Sequence, residues 1–409
     1  MTVTDPGWVL PRYGAASLPD VLPSAVTTLV GDRAAALGFV DHIGLAARLD
    51  GVRRIGVVLV DGLGYHQLEA AAAASTAASA VAAAVADRGS AGYGAIADIL
   101  AGRLGALLPL TAGFPSTTPV SVVGLGTGTA PGAHGVIGFS VRVPGTDRVL
   151  NHIKWWDDPD PSTWQPVPTV FERAVAAGLA ATVVTRPAFA GSGLTVAAYR
   201  GAAYRPAGTI DEVVTEVRDA LAYGDGPTLV YGYHPDLDRA GHASGVASAE
   251  WRDAAADADI LIGRLADDLP SDTAILVTAD HGQLDVPEDR RFDLDTDRAL
   301  RSGVDVVAGE PRVRYLHTAP GAAPDVIDTW RAILGDNAWI GSRDEVVDAG
   351  LYGDVTAAHL ERIGDVVVIC RDDYVVVQSV VAPSEASLVA YHGALSATEM
   401  MIPLIVVRG

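Results

Sequence analysis

Ile55-Gly-Val-Val-Leu-Val60-Asp61-Gly62 is the stretch from which the rest of the chain can be read. Its six leading residues form a nearly continuous apolar run, the pattern of a strand buried on both faces, and a carboxylate then stands at the carboxyl end. Similar runs recur at Ala181–Thr185, Thr228–Tyr233 and Ala274–Thr278, and the last two are followed within a few residues by acids and histidines. Helix-patterned segments such as Thr169–Ala177 and Ser248–Leu269 lie between them. This alternation predicts an α/β fold with a mostly parallel sheet flanked by helices. Ligands of such sheets bind outside the carboxyl ends of the strands. Polar residues just after several strands are therefore expected to meet in space although they are far apart in sequence.

After Asp285 the rhythm changes. Short strands (Arg312–Leu316, Asp365–Cys370, Tyr374–Val377) and a helix-like stretch from Pro324 to Leu334 predict a smaller α+β subdomain over residues 286–390, inserted into a main domain made of residues 1–285 and 391–409. The chain returns to the main sheet with His392 and a last strand, Ile402–Val407.

Bulk properties narrow the function. The 409 residues are 49% hydrophobic and 19% charged, ample for a buried core and unlike a disordered chain. A net charge of −21 argues against binding a nucleic-acid polymer or lying on an anionic membrane, both of which need a basic face. The single cysteine, Cys370, excludes an intrachain disulfide framework and reads as core. The N-terminus, Met1 to Trp8, lacks the basic and apolar regions of a signal peptide, and no run is long enough to span a bilayer. The alanine-rich Ala70–Ala84 run reads as a surface helix, and the expected compartment is the cytoplasm.

Five segments carry chemistry. Asp61 ends the first strand. Gly113-Phe-Pro-Ser-Thr-Thr118-Pro119 places Thr118 as a helix N-cap with proline at the first helical position, where unpaired N–H groups suit a phosphate. Asp238-Arg-Ala-Gly-His242 spaces a carboxylate and an imidazole one helical turn apart. Asp280-His281-Gly282 follows a strand directly, and Tyr391-His392-Gly393 lies near the C-terminus. His42, His66, His134, His152, His234, His317 and His359 have no comparable context and read as surface, turn or core residues. Three Asp and three His at strand ends, with one hydroxyl, form a ligand set for two divalent ions. Mixed imidazole and carboxylate donors suit Zn²⁺, with Mn²⁺ or Fe as alternatives.

In this order the segments resemble the alkaline phosphatase superfamily and, within it, the nucleotide pyrophosphatase/phosphodiesterase branch. Pro115-Ser-Thr-Thr118, Thr127-Gly128 and Pro131-Gly-Ala-His134-Gly135 are similar to that branch's nucleophile segment, and the likeness runs over roughly residues 53–409. It implies one Zn²⁺ on Asp238, His242 and His392. It places the other on Asp61, Asp280, His281 and Thr118, with Thr118 the nucleophile of a phosphothreonine intermediate. It also implies a small nucleotide-like phosphoester as substrate. A phosphomonoesterase, a phosphonate hydrolase and a non-catalytic metal- or phosphate-binding relative are the alternatives. Two positions depart from the branch. Phe139 stands where an Asn donor is usual, and Pro119 has no N–H to offer just after the nucleophile. Thr117 as nucleophile, with Thr118 supplying the N–H, is the alternative. The lone lysine, Lys154, precedes Trp155 and Trp156, which read either as packing residues or as an apolar wall.

Overall fold

The Arg54–Val60 strand is the middle member of a seven-stranded sheet in the computed structural model, which describes residues 7–85 and 94–409. Met1 to Pro6, part of the segment read for a signal peptide, lie outside the described residues. Across the sheet the order is Ala106–Thr111, Met401–Arg408, Thr273–Thr278, Arg54–Val60, Thr228–His234, Ala180–Thr185, Ala203–Pro206. The last five of these run parallel, and Met401–Arg408 runs antiparallel to both of its neighbours. Ile55 and Val57–Val60 are fully buried because helices cover both faces, which is why the strand carries no polar alternation. The fold is α/β, as expected.

Two local readings change. The helix Leu68–Val85 packs on Ala249–Ala266 and buries Ala71, Ala74 and Ser75, so the expected surface helix is half-buried over residues 68–79, whose side chains are described. Its small alanines permit that close approach, and the Ser75 hydroxyl bonds the buried Asp259 carboxylate. The helix after the first chemical loop is Thr118–Thr127, with Thr117 as its N-cap and Pro119 in its first turn. Thr118 is thus the first helical residue and not the cap. Gly126 seats this helix against a neighbour, since a Cβ there would lie 2.0 Å from the Ala198 carbonyl oxygen.

Residues 304–370 build a separate four-stranded antiparallel sheet in the order Val304–Glu310, Val313–Thr318, Val366–Cys370, Ala338–Ser342. Its two faces pack differently. Val366, Val368 and Cys370 point into a core shared with Trp330 and Leu334 of the helix Ala323–Leu334, whereas Val367 and Ile369 join the core of the main sheet. Strand periodicity with both faces covered explains the unbroken apolar run, Cys370 included. A buried bidentate pair, Arg312 Nε to Glu399 Oε1 at 2.9 Å and Nη2 to Oε2 at 2.7 Å, ties this unit to the segment leading into Met401–Arg408.

Candidate metal centre

Five chain segments deliver polar side chains to one end of the main sheet. Asp61 follows the Arg54–Val60 strand, and Asp238 with His242 lie on the helix Asp236–Ser244 after Thr228–His234. Asp280 and His281 follow Thr273–Thr278, Thr118 opens the helix beyond Ala106–Thr111, and His392 precedes the antiparallel Met401–Arg408. Antiparallel entry puts the start of that last strand beside the carboxyl ends of the others, which is how His392 joins them.

The donors face inward in two adjoining groups. Asp61, Asp280 and His281 offer donor atoms within 4.8 Å of one another, and so do Asp238, His281 and His392. His281 Nε2 is 3.2 Å from Asp280 Oδ2, 3.6 Å from Asp61 Oδ1 and 3.2 Å from Thr118 Oγ1. His242 Nε2 is 3.4 Å from Asp238 Oδ2 and 3.2 Å from His392 Nε2, itself 3.7 Å from Asp238 Oδ1. The His281 and His392 rings stack at 3.5 Å between centroids. The structure therefore brings together all seven residues singled out in the sequence.

Surrounding groups orient these donors. His392 Nδ1 donates to the Ser116 carbonyl at 2.8 Å and His242 Nδ1 to the Ala390 carbonyl at 2.7 Å, which leaves each Nε2 bare and inward-facing. That is the arrangement metal-bound imidazoles need. The carboxylates are held by one oxygen each. Asp280 Oδ1 accepts from the Gly62 and His281 N–H groups, both at 3.1 Å, Asp61 Oδ2 accepts from the Tyr233 hydroxyl, and Asp238 Oδ1 accepts from Gln283. Asp280 Oδ2 and Asp61 Oδ1 are buried without a hydrogen-bond partner. Burial first, and then the charges of Asp280 and Asp238, push the Asp61 carboxyl above the usual carboxylate range. Burial first, and then His281 and His242, push His392 well below the usual histidine range. Like charges packed this closely and held with free inward oxygens need cations between them. The donor set fits two divalent ions.

Thr118 and Thr117 point to different neighbours. Thr118 Oγ1 meets His281, while the Thr117 hydroxyl faces the Glu310 carboxyl without forming a well-directed bond. A cavity of about 780 Å³ opens from this centre, its floor formed by Asp61, Thr118, Asp238 and His392. Phe139, Lys154, Trp156, Phe189 and Tyr233 contribute to its walls. The tryptophans divide the two roles read for them. Trp155 is buried and donates to the Pro159 carbonyl, whereas Trp156 is 57% exposed at the cavity mouth.

Of the other histidines, His134, His152, His234, His317 and His359 are buried, and none of them belongs to either group of donors. Sequence reading missed Tyr233, Gln283, Ser116 and Glu310. The first three act through contacts to residues far away in the chain, and no spacing announces them. Glu310 follows Gly309 at the end of a strand, and its position is set only by how the smaller sheet docks.

The family model for type I phosphodiesterase / nucleotide pyrophosphatase matches residues 83–394. Among solved structures, murine ectonucleotide pyrophosphatase/phosphodiesterase 5 is similar over 86% of this chain and 87% of its own, with a TM-score of 0.65 and 17% identity. An inactive form of the murine protein in complex with AMP matches with the same coverage and TM-score at 16% identity. The human counterpart gives 0.63 at 16% identity, again over 86% and 87% of the two chains. No curated protein sequence matches the chain.

Proposed function

This chain belongs to the type I phosphodiesterase / nucleotide pyrophosphatase family and is a hydrolase of phosphoester bonds, and from that premise we propose that it cleaves a small nucleotide-like diester or pyrophosphate by in-line displacement at Thr118. The observation that carries this reading is the meeting of Thr118 Oγ1 with two groups of inward-facing Asp and His donors at the floor of one cavity.

Asp238, His242 and His392 would hold one divalent ion, and Asp61, Asp280, His281 and Thr118 the other. Imidazole and carboxylate donors favour Zn²⁺. When bound, such a pair supplies Lewis-acid polarisation of the phosphoryl group and charge balance for the three aspartates. The protein supplies the rest. The Thr118–Thr127 helix presents its N-terminus, with partial positive charge, to the phosphoryl oxygens. Thr118 Oγ gives up its proton and attacks phosphorus, a P–O bond forms to it, and the bond to the leaving alcohol or phosphate breaks on the opposite side, with the leaving oxygen taking up a proton in turn. Water then cleaves the Thr118 ester, releasing the remaining phosphoryl product and restoring the hydroxyl. Thr117 is turned toward Glu310, which supports Thr118 as the attacking residue.

Initial rates of the zinc-loaded protein on bis-p-nitrophenyl phosphate, p-nitrophenyl phosphate and the p-nitrophenyl ester of thymidine 5′-monophosphate test the assignment. The two diesters are expected to be turned over faster. Preference for the monoester overturns it.

A further inference from the structure

The phosphoryl group needs hydrogen-bond donors that two conspicuous positions do not provide: Pro119 has no N–H, and Phe139 has an apolar ring in the cavity wall. Glu310 stands nearby. It is the last residue of the strand Val304–Glu310, only 3% exposed, and lines the same cavity as Thr117, Thr118 and His392. Its carboxyl packs on the backbone of Gly393, where a Cβ would lie 2.9 Å from the Glu310 carboxyl carbon. Gly393 has a φ of +137°, so only glycine leaves that space without strain. Glu310 Oε1 has no hydrogen-bond partner.

The two arginines that follow Glu310 in the chain are engaged elsewhere. Arg314 pairs with Glu385 and Arg312 with Glu399, and among the described residues Glu310 forms no ion pair of its own. A buried carboxylate without a partner is costly, and the group takes up a proton instead. Burial, with the charges of Glu385 and Glu399 adding to it against Arg314 and the Thr117 hydroxyl, pushes Glu310 up to about 8. An anionic phosphoryl group in the cavity works in the same direction. The charge of cations held in the centre would be largely met by Asp61, Asp238 and Asp280.

We infer that Glu310, carried by the segment between His281 and His392, is a neutral carboxyl whose O–H donates a hydrogen bond to a non-bridging phosphoryl oxygen, in place of the donors missing at Pro119 and Phe139. The proton stays on Glu310 throughout, and the bond is strongest when charge builds on that oxygen in the transition state. The inference rests on the phosphoryl-transfer reading above.

The test compares wild type, Glu310→Gln and Glu310→Ala, each loaded with zinc and checked for zinc content. Glutamine keeps a donor in nearly the same shape, so it also guards against a variant that fails to fold. The infrared difference spectrum of wild type minus Glu310→Gln at neutral pH is expected to contain the band of a protonated carboxyl. On bis-p-nitrophenyl phosphate, Glu310→Ala is expected to lose roughly a hundredfold, mainly in kcat, the usual effect of removing one such donor. Glu310→Gln should remain within about tenfold of wild type on the same grounds. Inorganic phosphate, titrated calorimetrically, should bind wild type and Glu310→Gln alike and Glu310→Ala more weakly. An ionised Glu310 in the infrared spectrum, Gln as slow as Ala, Ala as fast as wild type, or zinc lost in either variant overturns the inference. If wild type turns over no diester, the reading of the reaction fails, while the infrared and phosphate titrations still decide the role of Glu310.

Discussion

His392 donates its Nδ1 proton to the carbonyl oxygen of Ser116, 2.8 Å away. The loop that presents Thr118 is thereby locked to the last of the inward-facing histidines. Ser116 is bound twice more to the same strand-entry segment, through its N–H to the Gly393 carbonyl at 2.9 Å and its hydroxyl to the Ala394 carbonyl at 2.8 Å. Position of the hydroxyl and position of the imidazole are one structural fact.

That coupling makes the two threonines separable by experiment. Thr118→Ala is expected to abolish diester turnover, a loss of at least roughly a thousandfold for removal of a covalent nucleophile, and Thr118→Ser to retain part of it. Thr117→Ala should cost far less, because its hydroxyl faces Glu310. Initial rates, with a search for acid-stable label on threonine after rapid quench, decide the assignment. Survival of activity in Thr118→Ala alone would move the nucleophile to Thr117.

Removing metal should act on stability as well as on rate. Asp61 and Asp280 each bury an unpartnered oxygen, and any ion that binds the native centre and not the unfolded chain stabilises by mass action. Zinc at a hundred times its dissociation constant is expected to add about 2.7 kcal/mol, seen as a higher Tm. A chelator should reverse both the stabilisation and the activity. A melting curve indifferent to chelator and zinc would argue against a native two-ion centre.

Arg312 and Glu399 are both fully buried and bonded through two parallel contacts. Arg312→Ala leaves Glu399 as an uncompensated buried charge and is expected to cost about 3–5 kcal/mol. The urea midpoint measures it. A hydrophobic double replacement, Arg312→Met with Glu399→Leu, should recover much of the loss, because the pair's desolvation penalty disappears with it.

His152 predicts a stability that depends on pH. Its Nδ1 donates to the Gly138 carbonyl at 2.8 Å and its Nε2 accepts from Trp164 at 3.2 Å, so the neutral ring is the one that fits. Burial lowers it from 6.5 to about 4. Between those values the unfolded chain binds a proton that the folded chain does not. Stability from this group is therefore fully present above pH 6.5, falls as the pH drops toward 4, and changes no further below that. The full effect is about 3 kcal/mol. Urea midpoints from pH 7 to 4 should fall less steeply in His152→Gln than in wild type, and equal slopes would sink the argument.

The central sheet and the seven inward-facing residues were legible because each lies beside a local signal. Asp61 ends an apolar run, Asp238 and His242 share one helical turn, and Asp280-His281 follows a strand directly. Helix capping was read one residue late, since Thr117 and Thr118 are equivalent cap residues by type and only the backbone separates them. The half-buried face of Leu68–Val85 was hidden because alanine gives almost no periodic contrast between its buried and exposed sides. Tyr233, Gln283, Ser116 and Glu310 were out of reach for another reason. Their partners, Asp61, Asp238, His392 and Thr117, are brought to them by sheet pairing and by docking of the smaller sheet, and neither is written in a window of ten or twenty residues.

The strand Ala106–Thr111 pairs with Met401–Arg408, which in turn lies between it and Thr273–Thr278. During synthesis on the ribosome, the early strand must wait for one made far later before it can join the sheet. Until then the nascent chain carries an unpaired strand just upstream of the Thr118 loop, a surface on which chaperones and neighbouring chains can compete. Closure of the sheet also delivers His392 and sets the Ser116 contact. Arrival of the Met401–Arg408 strand and assembly of the centre are thus the same event.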